Sequence, residues 1–365
     1  MALGDNGDHA GPVRRRAGPL PGVVGVPLSL LYRVGIRRVN RRFDRGKGVV
    51  RFDRPVISVG NLSVGGTGKT PLVEAIVRFL VDAGRTPCIA MRGYSRGGKE
   101  SDEAAAYRRL LPDVPVIAQS NRTLGLIRQF GKEHDEADGR QSDCIILDDG
   151  FQHRQIGREL DIVLIDAGRD PFQDRLLPAG WLREPVESLK RAGAVVITHA
   201  ESVNGAELTA LERLIATAFD QPAQAVCRHG WSELLVSDSG HESPVPVAWL
   251  SGKRIVAACA IGNPGPFVAA ARKAAGGNLS AEVVLKDHDP FAPTTVERLK
   301  GVARSVNAQA IVVTEKDWSK LSGCRNWPCP VARAVLKLSF DRGWETLSSR
   351  VLDTVVRGVP DDEVG

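Results

Sequence analysis

A glycine-rich segment, SVGGTGKTP at residues 63–71, has the residue types that bind a nucleotide phosphate. Glycines let backbone N–H groups turn toward phosphate oxygens, and a helix N-terminus adds a partial positive charge. The residues predicted to form this loop are Ser63, Val64, Gly65, Gly66, Thr67, Gly68, Lys69 and Thr70. The usual spacing has glycine at the first position, where this chain has serine, so the turn into the loop must be made differently.

The residues around this loop also provide for a metal ion. Lys69 would bridge the β- and γ-phosphates, and the Thr70 hydroxyl would hold Mg²⁺. The segment CIILDDGFQH supplies Asp148 and Asp149 at the end of an apolar run, where a neighbouring strand would place carboxylates. Two adjacent carboxylates are costly to place together without a cation nearby. We therefore predict a magnesium nucleotide site, with a solvated acidic turn as the alternative.

The elements that must position these residues follow an alternating pattern. The loop lies between the apolar run PVISVG and a helical pattern, and PCIAM, VPVIA, CIILD, DIVLID and AVVITH follow as further strands. Strands that are apolar throughout are typical of a parallel sheet covered by helices. The predicted fold class is α/β, P-loop NTPase-like, with a mostly parallel sheet core and a second, smaller α/β domain. The predicted ranges are 1–54 for a disordered tip and an apolar, basic leader, 55–200 for the phosphate-loop domain, 201–250 for a connector, 251–345 for the second domain and 346–365 for a tail.

The net charge of +6 comes from one end of the chain. Residues 1–55 hold twelve Lys or Arg and four Asp or Glu, which leaves the remaining 310 residues at −2. The body is therefore not typical of a nucleic-acid surface, and no nucleic-acid partner is predicted. Six cysteines without a C-x-x-C pair indicate thiols in a reducing compartment.

The basic end contains an apolar segment, PLPGVVGVPLSLLYRVGI, followed by RRVNRRFDRGKGVVR. The apolar run is shorter than the ~20 residues that span a bilayer. Positive charge that follows the apolar run, without a cleavage site, argues against a signal peptide. The pattern favours an interfacial anchor that meets anionic lipid. A core helix with a solvated charged face is the alternative.

Six motifs together resemble one family. VGNLSVGGTGKTP, MRGY, DDGFQH, LLPAGWLREP, IGNP and TEKD occur in the order seen in the tetraacyldisaccharide 4'-kinases of lipid A synthesis. The resemblance covers most of residues 55–320, and that family also has Ser or Thr at the position of Ser63. It implies transfer of the ATP γ-phosphoryl group, with Mg²⁺, to the 4'-hydroxyl of a tetraacylated glucosamine disaccharide 1-phosphate. It also implies two α/β domains with the site in the cleft between them.

The resemblance further implies a place of action and a catalytic pair. The enzyme would work at the cytoplasmic face of the inner membrane, peripheral or shallowly anchored, and no protein partner is implied. The family's G-D-E-P motif reads SDEA here, giving Asp102 as proton acceptor, and its D-H-x motif reads KDHDPF, giving His288 as its partner. Because the two were expected on different domains, the pair would form only when the cleft closes. Glu103 would add to the metal shell.

Several other residues are weaker candidates for substrate contacts. Arg92 and Arg122 could meet a phosphate of the lipid or of ATP. Tyr94 follows the same strand end as Arg92, and Gln152 and His153 follow the paired aspartates. We interpret Arg183 and Glu184 as structural or substrate-loop residues, and TEKD does not have the K-x-D spacing that reads guanine.

Two other classes of function stay open from the sequence. A regulatory or maturation NTPase would share the strand and the GGTGKT loop but would not need the basic leader or His288. A peripheral membrane scaffold that binds a nucleotide without catalysis would tolerate the loss of Asp102. Phosphate transfer to the lipid separates both classes from a kinase.

Overall fold

The computed structural model describes residues 18–93, 101–135, 141–238, 240–287 and 289–358, and for residues 102 and 132–135 it describes the backbone alone. The elements, in chain order, are α1 (Gly22–Asp44), β1 (Val56–Asn61), α2 (Lys69–Asp82), β2 (Pro87–Met91), α3 (Asp102–Leu110), β3 (Val116–Ala118), α4 (Arg122–Asp135), β4 (Cys144–Asp148), β5 (Leu160–Asp166), β6 (Ala194–Thr198), α5 (Gly205–Phe219), β7 (Ala225–Asp238), β8 (His241–Val245), β9 (Ile255–Cys259), α6 (Pro264–Ala274), β10 (Leu279–Val284), α7 (Pro293–Ser305), β11 (Ala310–Thr314), α8 (Glu315–Leu321), β12 (Val331–Arg342) and α9 (Trp344–Arg357).

The described residues divide into two compact units. Unit 1 comprises residues 18–93, 111–228 and 340–358, and unit 2 comprises residues 101–110 and 229–339, apart from the gaps given above. Strands β7 and β12 have residues in both units. Helix α3 therefore groups with the second α/β pattern and not with the strands that precede and follow it in the chain.

Unit 1 is built on a parallel sheet with the order β3-β2-β4-β1-β5-β6-β7. Strand β1 pairs in parallel with β4 on one side and with β5 on the other, and Val59 lies opposite Asp148. Every residue of β1 and β4 is buried, as the continuous apolar runs predict. The carboxyl ends of these neighbouring strands meet at one edge, which is where an open parallel sheet of this kind binds ligands.

Two predicted ranges differ from the structure of unit 1. The predicted connector contains α5, which begins with a capping box of Asn204 and Glu207 and buries Leu211 and Ile215 in the core of unit 1. The predicted tail contains most of α9, which packs on α2 through an edge-to-face contact of Trp344 with Phe79 at 5.8 Å. Both helices are amphipathic. Their many polar residues are typical of a connector or a tail, but each helix also has an apolar face that is buried.

Polar contacts hold helix α1 against the rest of unit 1, and most of its large apolar side chains are exposed to solvent. Ser29 Oγ donates to Leu176 O at 2.8 Å, Tyr32 Oη donates to Arg183 O at 2.9 Å, and Asn40 Nδ2 donates to Glu184 Oε2 at 2.9 Å. Its buried residues are Gly25 and Ser29, and most of its large apolar side chains are exposed, including Val23, Val24, Leu28, Leu30, Leu31 and Val34, whereas Tyr32 packs against the core of unit 1. The structure therefore does not support a core helix.

Unit 2 is a smaller α/β unit, as predicted. Its parallel strands have the order β10-β9-β11-β12, and β8 forms an antiparallel hairpin with β7. Helix α6 packs on one face through Phe267, while α7 and α8 pack on the other through Leu299 and Trp318. This arrangement fixes the start of α8 at the carboxyl end of β11, where the TEKD motif lies.

Candidate functional site

The glycine-rich loop joins β1 to α2, as the sequence predicts. Gly65 and Gly68 have φ angles of 122° and 78°, in the region that favours glycine, and Gly68 caps α2. Ser63 forms an antiparallel bridge with Leu182, and Val64 N donates to Trp181 O at 2.8 Å. Pairing with the LLPAGWLREP segment thus makes the turn into the loop, so the first position needs no glycine.

Hydrogen bonds from the ends of β1 and β6 hold the middle of the loop in place. Thr67 is buried, and its Oγ1 accepts a hydrogen bond from Asn61 Nδ2 at 2.8 Å. Thr198, at the end of β6, donates from Oγ1 to Thr67 O at 2.9 Å. Buried polar groups that are paired in this way hold a loop in one conformation. The backbone N–H groups of the loop are therefore preorganised for a phosphate.

Asp149 lies between two cations at this edge of the sheet. Its Oδ1 is 3.4 Å from Lys69 Nζ, and Arg183 Nη1 donates to Oδ1 and Oδ2 at 2.8 and 2.7 Å. Burial acts to raise the pKa of this carboxyl, but Lys69, Arg183 and Arg122 outweigh it and lower the pKa to about 2. Asp149 is therefore ionised at neutral pH, and it holds the phosphate-loop lysine and Arg183 together.

The turn that carries Asp149 packs directly on β1. Asp149 has a positive φ of 53°, and its carbonyl oxygen accepts a hydrogen bond from Arg122 Nη1 at 3.1 Å. Gln152 Nε2 donates to Asn61 O at 2.9 Å. A Cβ at Gly60 would lie 2.5 Å from Phe151 Cβ, so only glycine allows the turn to approach this closely. Arg122 and Gln152 thus hold the DDGFQ turn against the base of the loop.

Asp148 and Thr70 fit a magnesium ion better than Asp149 does. Asp148 ends β4, is only 6% exposed, and lies at the edge of the sheet where the phosphate loop begins. Thr70 is in the first turn of α2. Carboxylate and hydroxyl oxygens are the hard donors that Mg²⁺ takes beside substrate phosphates. Asp149, by contrast, is already engaged by Lys69 and Arg183.

His153 is held neutral by its surroundings. Burial, together with Arg122, Arg158 and Arg92, lowers the pKa of its imidazole to about 4. Its buried Nε2 has no hydrogen-bond partner within the described part of the chain. The structure thus brings His153 near Arg92 and Arg122, as an uncharged group at neutral pH in a cation-rich corner.

Of the predicted catalytic pair, the structure describes only the backbone of Asp102, in unit 2. Asp102 is the first residue of α3, and Glu103 Oε1 lies 3.6 Å from Lys316 Nζ. The side chain of Asp102, and the whole of Tyr94 and His288, lie outside the described residues. Described residues on both sides of His288 belong to the same unit as α3, whereas the phosphate loop belongs to unit 1. The expectation that the pair forms across two domains stays a prediction. Helix α3 packs on α8, although the two are far apart in the chain.

Sequence reasoning missed three residues near the loop. Arg183 was interpreted only as a structural or substrate-loop residue, yet it binds Asp149, and its N–H donates to Leu62 O at 2.7 Å. Asp166 ends β5 and is buried, and Arg169 lies so close to the loop that a Cβ at Gly65 would be 2.6 Å from its Nη1. The available signal was that DIVLID, like CIILD, is an apolar strand ending in aspartate.

Comparisons with known proteins agree on one family. The family model described as LpxK, tetraacyldisaccharide-1-P 4'-kinase, matches residues 23–355. The tetraacyldisaccharide 4'-kinase of Geobacter metallireducens is 34% identical over 349 residues, covering 90% of this chain and 97% of the relative. That of Anaeromyxobacter sp. (strain K) is 33% identical over 329 residues, with 84% of each chain covered.

A solved structure supports the fold over nearly the whole chain. The crystal structure of LpxK from Aquifex aeolicus in complex with ATP has a TM-score of 0.67 and 30% sequence identity. The match covers 90% of this chain and 98% of that chain. The α/β architecture with a phosphate loop is thus shared with a protein that binds ATP.

Proposed function

We propose that this chain, which belongs to the tetraacyldisaccharide-1-P 4'-kinase family, transfers the γ-phosphoryl group of ATP to the 4'-hydroxyl of a tetraacylated glucosamine disaccharide 1-phosphate. The observation that carries this proposal is the phosphate loop anchored through Thr67, with Lys69 and Arg183 held beside it by Asp149. Phosphoryl transfer depends mainly on such positioning and charge stabilisation.

In the proposed reaction, cationic side chains of unit 1 would contact the phosphates of ATP. The 4'-oxygen forms a bond to the γ-phosphorus, the bond from this phosphorus to the β,γ-bridging oxygen breaks, and ADP leaves. Lys69 and Arg183 would stabilise the charge on the transferring group; the support is that both contact Asp149 beside the loop. Binding of ATP would draw Lys69 from the carboxylate toward the phosphates.

Mg²⁺ would be held by Thr70 and Asp148. When bound, the ion would neutralise charge on the β- and γ-phosphates. Asp148 would contribute a carboxylate from the buried end of β4, whereas Asp149 binds Lys69 and Arg183. Glu103, the other predicted ligand, lies in unit 2, where Lys316 is 3.6 Å from its carboxylate.

Asp102 and His288 would dispose of the proton of the attacking hydroxyl. A carboxylate that accepts the proton needs a partner to orient it, and an imidazole does both that and proton transfer. The supporting observation is that α3, which begins at Asp102, groups with residues 229–339. The acceptor side of the reaction would therefore be organised by unit 2.

We further propose that α1 contacts the surface of an anionic membrane at its cytoplasmic face. Val23, Leu31 and Val34 are 90%, 69% and 64% exposed, and the same helix carries arginines through its last turn. Exposed apolar side chains beside basic residues are typical of interfacial helices. Within the described residues, none of the helices has both the length and the hydropathy that crossing a membrane requires.

The kinase proposal is tested by incubating the purified protein with [γ-³²P]ATP, Mg²⁺ and the lipid disaccharide 1-phosphate. We expect label in the lipid, at the 4'-position. Thr70→Ala should lose labelling at limiting Mg²⁺ and regain part of it at high Mg²⁺. Nucleotide hydrolysis without lipid labelling would contradict the kinase and favour a regulatory NTPase.

The membrane proposal is tested by sedimentation with anionic vesicles. Leu31→Glu and Val34→Glu should release the protein from the vesicles, because a carboxylate on this face meets anionic lipid. Leu336→Glu is the matched control, since Leu336 is a similarly exposed apolar residue of another element. Equal sedimentation of all three variants and the wild type would remove α1 from the contact.

A further inference from the structure

The TEKD segment, residues 314–317, begins α8 and has no part in the chemistry proposed above. Thr314 Oγ1 accepts a hydrogen bond from Asp317 N at 3.1 Å and donates to Asp317 Oδ2 at 2.6 Å. Asp317 is completely buried and also accepts a hydrogen bond from Ala260 N at 3.1 Å, just after β9. A capped turn that is also bound to a neighbouring strand end is a rigid base. The two residues between them, Glu315 and Lys316, are therefore held in place.

Lys316 lies beside two carboxylates from distant parts of the chain. Its Nζ is 3.6 Å from Glu103 Oε1 and 3.9 Å from Asp287 Oδ1. Glu103 directly follows Asp102, and Asp287 directly precedes His288. One ammonium group thus lies beside the chain neighbours of both members of the proposed catalytic pair.

Glu315 holds the other end of α3. Its carboxylate is 3.1 Å from Arg109 Nη2 and accepts two hydrogen bonds from Arg333 Nη1 at 2.8 and 2.9 Å. Arg109 is in the last turn of α3, whereas Glu103 is in its first turn. The two adjacent residues of α8 therefore bind both ends of the helix that begins at Asp102, which fixes its direction as well as its place.

Asp287 has a confined position as well. A Cβ at Gly262, in the IGNP motif, would lie 3.0 Å from Asp287 Oδ2. The glycine thus leaves room for this carboxylate at the end of β9. Without a cation between them, Glu103 and Asp287 would repel each other, since like charges at short range disfavour ionisation.

We propose that Lys316 is a positioning residue for phosphoryl transfer. By binding Glu103 and Asp287, it sets the separation of the two chain segments that carry Asp102 and His288. This inference rests on the proposed roles of that pair, and it gives Glu103 a role that competes with magnesium binding. Misplacement of a catalytic group by about 1 Å can cost 10²-fold in rate. We therefore expect the reaction to slow when the ion pairs of Lys316 with Glu103 and Asp287 are lost.

The test compares Lys316→Met with Lys316→Arg in steady-state lipid phosphorylation. We expect Lys316→Met to lower kcat by about 10- to 100-fold, with KM for ATP within about twofold, because the phosphate loop is in unit 1. Lys316→Arg should keep most of the activity, since it keeps the charge. Lys300→Met is the matched control: Lys300 is a lysine of α7 that pairs with Glu297 at 2.8 Å.

Two readouts separate positioning from general stability. Loss of a nearby cation should raise the apparent pKa of the acidic limb of kcat in Lys316→Met but not in Lys316→Arg. In a Glu103→Gln, Asp287→Asn background, the Lys316→Met substitution should cost much less than it does alone, because interacting residues are not additive. Unchanged kcat in Lys316→Met, or an equal loss in Lys300→Met, overturns the proposal.

Asp102→Ala, measured in parallel, separates this inference from the proposal on which it rests. If Asp102→Ala is as active as the wild type, the catalytic pair is wrong. If Asp102→Ala is slow and Lys316→Met is normal, the pair stands and the positioning role alone is wrong. Thermal unfolding of each variant shows whether any loss of rate comes from loss of folded protein.

Discussion

Two ion-pair clusters, the one at Asp149 in unit 1 and the one at Lys316 in unit 2, have opposite designs. In unit 1, a single carboxylate, Asp149, lies between two cations, Lys69 and Arg183. In unit 2, a single cation, Lys316, lies beside two carboxylates, Glu103 and Asp287. In the proposed reaction, the first arrangement would offer positive charge to the phosphate donor, whereas the second would hold the two chain segments next to the proposed proton acceptor and its partner.

The supporting structure differs in the same way. The unit 1 pairs lie at the carboxyl ends of parallel strands, where backbone groups of a glycine loop face the ligand. The unit 2 pairs lie on a capped helix turn and hold another helix by its ends. We infer that unit 1 binds the phosphate donor through its backbone and unit 2 orients the acceptor chemistry through side chains. The predictions below separate these two kinds of support.

The largest expected effect is on catalysis by the acceptor side. Asp102→Ala should lower kcat by roughly 10²–10⁴, the usual contribution of a positioned base, while ATP binding stays near the wild-type value. The physical reason is that ATP would contact the loop and Lys69, which are in the other unit. Steady-state lipid phosphorylation and equilibrium binding of ATP check it. If ATP affinity collapses instead, Asp102 belongs to the metal shell and the division of labour is wrong.

The next largest effect is on the free energy of unfolding, through the contact of β1 with the DDGF turn in unit 1. Gly60→Ala should destabilise the fold by about 1–3 kcal/mol, because the new Cβ would lie 2.5 Å from Phe151 Cβ and 2.7 Å from Phe151 N. Gly66→Ala is the matched control, since a Cβ there meets nothing within 4 Å. Urea unfolding of both variants measures the difference. Equal stability of the two would mean that the DDGF turn does not need its close approach to β1.

The same contrast explains which parts of the site the sequence could predict. Strand β4 and the loop before α2 were predicted from periodicity and glycine spacing, because strand ends and phosphate loops have local signatures. The contact of Arg183 with Asp149 joins residues 34 positions apart and has no local signature. A phosphate loop can be predicted from its glycine spacing. The side chains from distant parts of the chain that contact it cannot.

Helices show the limit most clearly. Helix α2 has a regular apolar face, and the sequence predicted it. The polar composition of residues 201–250 predicts a connector, whereas the structure has helix α5 there, with Asn204 and Glu207 at the spacing of a capping box. Helix α3 was assigned to the wrong neighbours because its partners, Glu315 and Lys316, come more than two hundred residues later. Local propensity predicts that the element exists, but its contacts with residues far along the chain, both ion pairs and the burial of Ala104 and Tyr107, have no local signature.

A smaller effect should appear in the pH dependence of stability. The pKa of Asp149 is lowered to about 2, so its ion pairs stabilise the fold above pH ~4, and the contribution is lost as pH falls through about 2. In magnesium-free buffer, Asp149→Asn should cost about 1–2 kcal/mol at pH 7, and the difference should shrink between pH 4 and 2. Urea unfolding across pH measures it, with Asp113→Asn, an exposed acid of unit 1, as control. A difference that is independent of pH would contradict a charge-based role.

The smallest expected effect is on the pKa of His153, which reports the positive charge near the phosphate loop. Because burial and the cations Arg122, Arg158 and Arg92 lower the pKa of His153 to about 4, its imidazole should not titrate between pH 5 and 8. Heteronuclear NMR of the histidine side chains, assigned with His153→Gln, checks this. Replacing Arg122 by Met should raise the pKa of His153 toward its ordinary value of about 6.5, since one of the three cations is removed. An unchanged pKa in Arg122→Met would mean that burial, together with Arg158 and Arg92, holds the ring neutral without a contribution from Arg122.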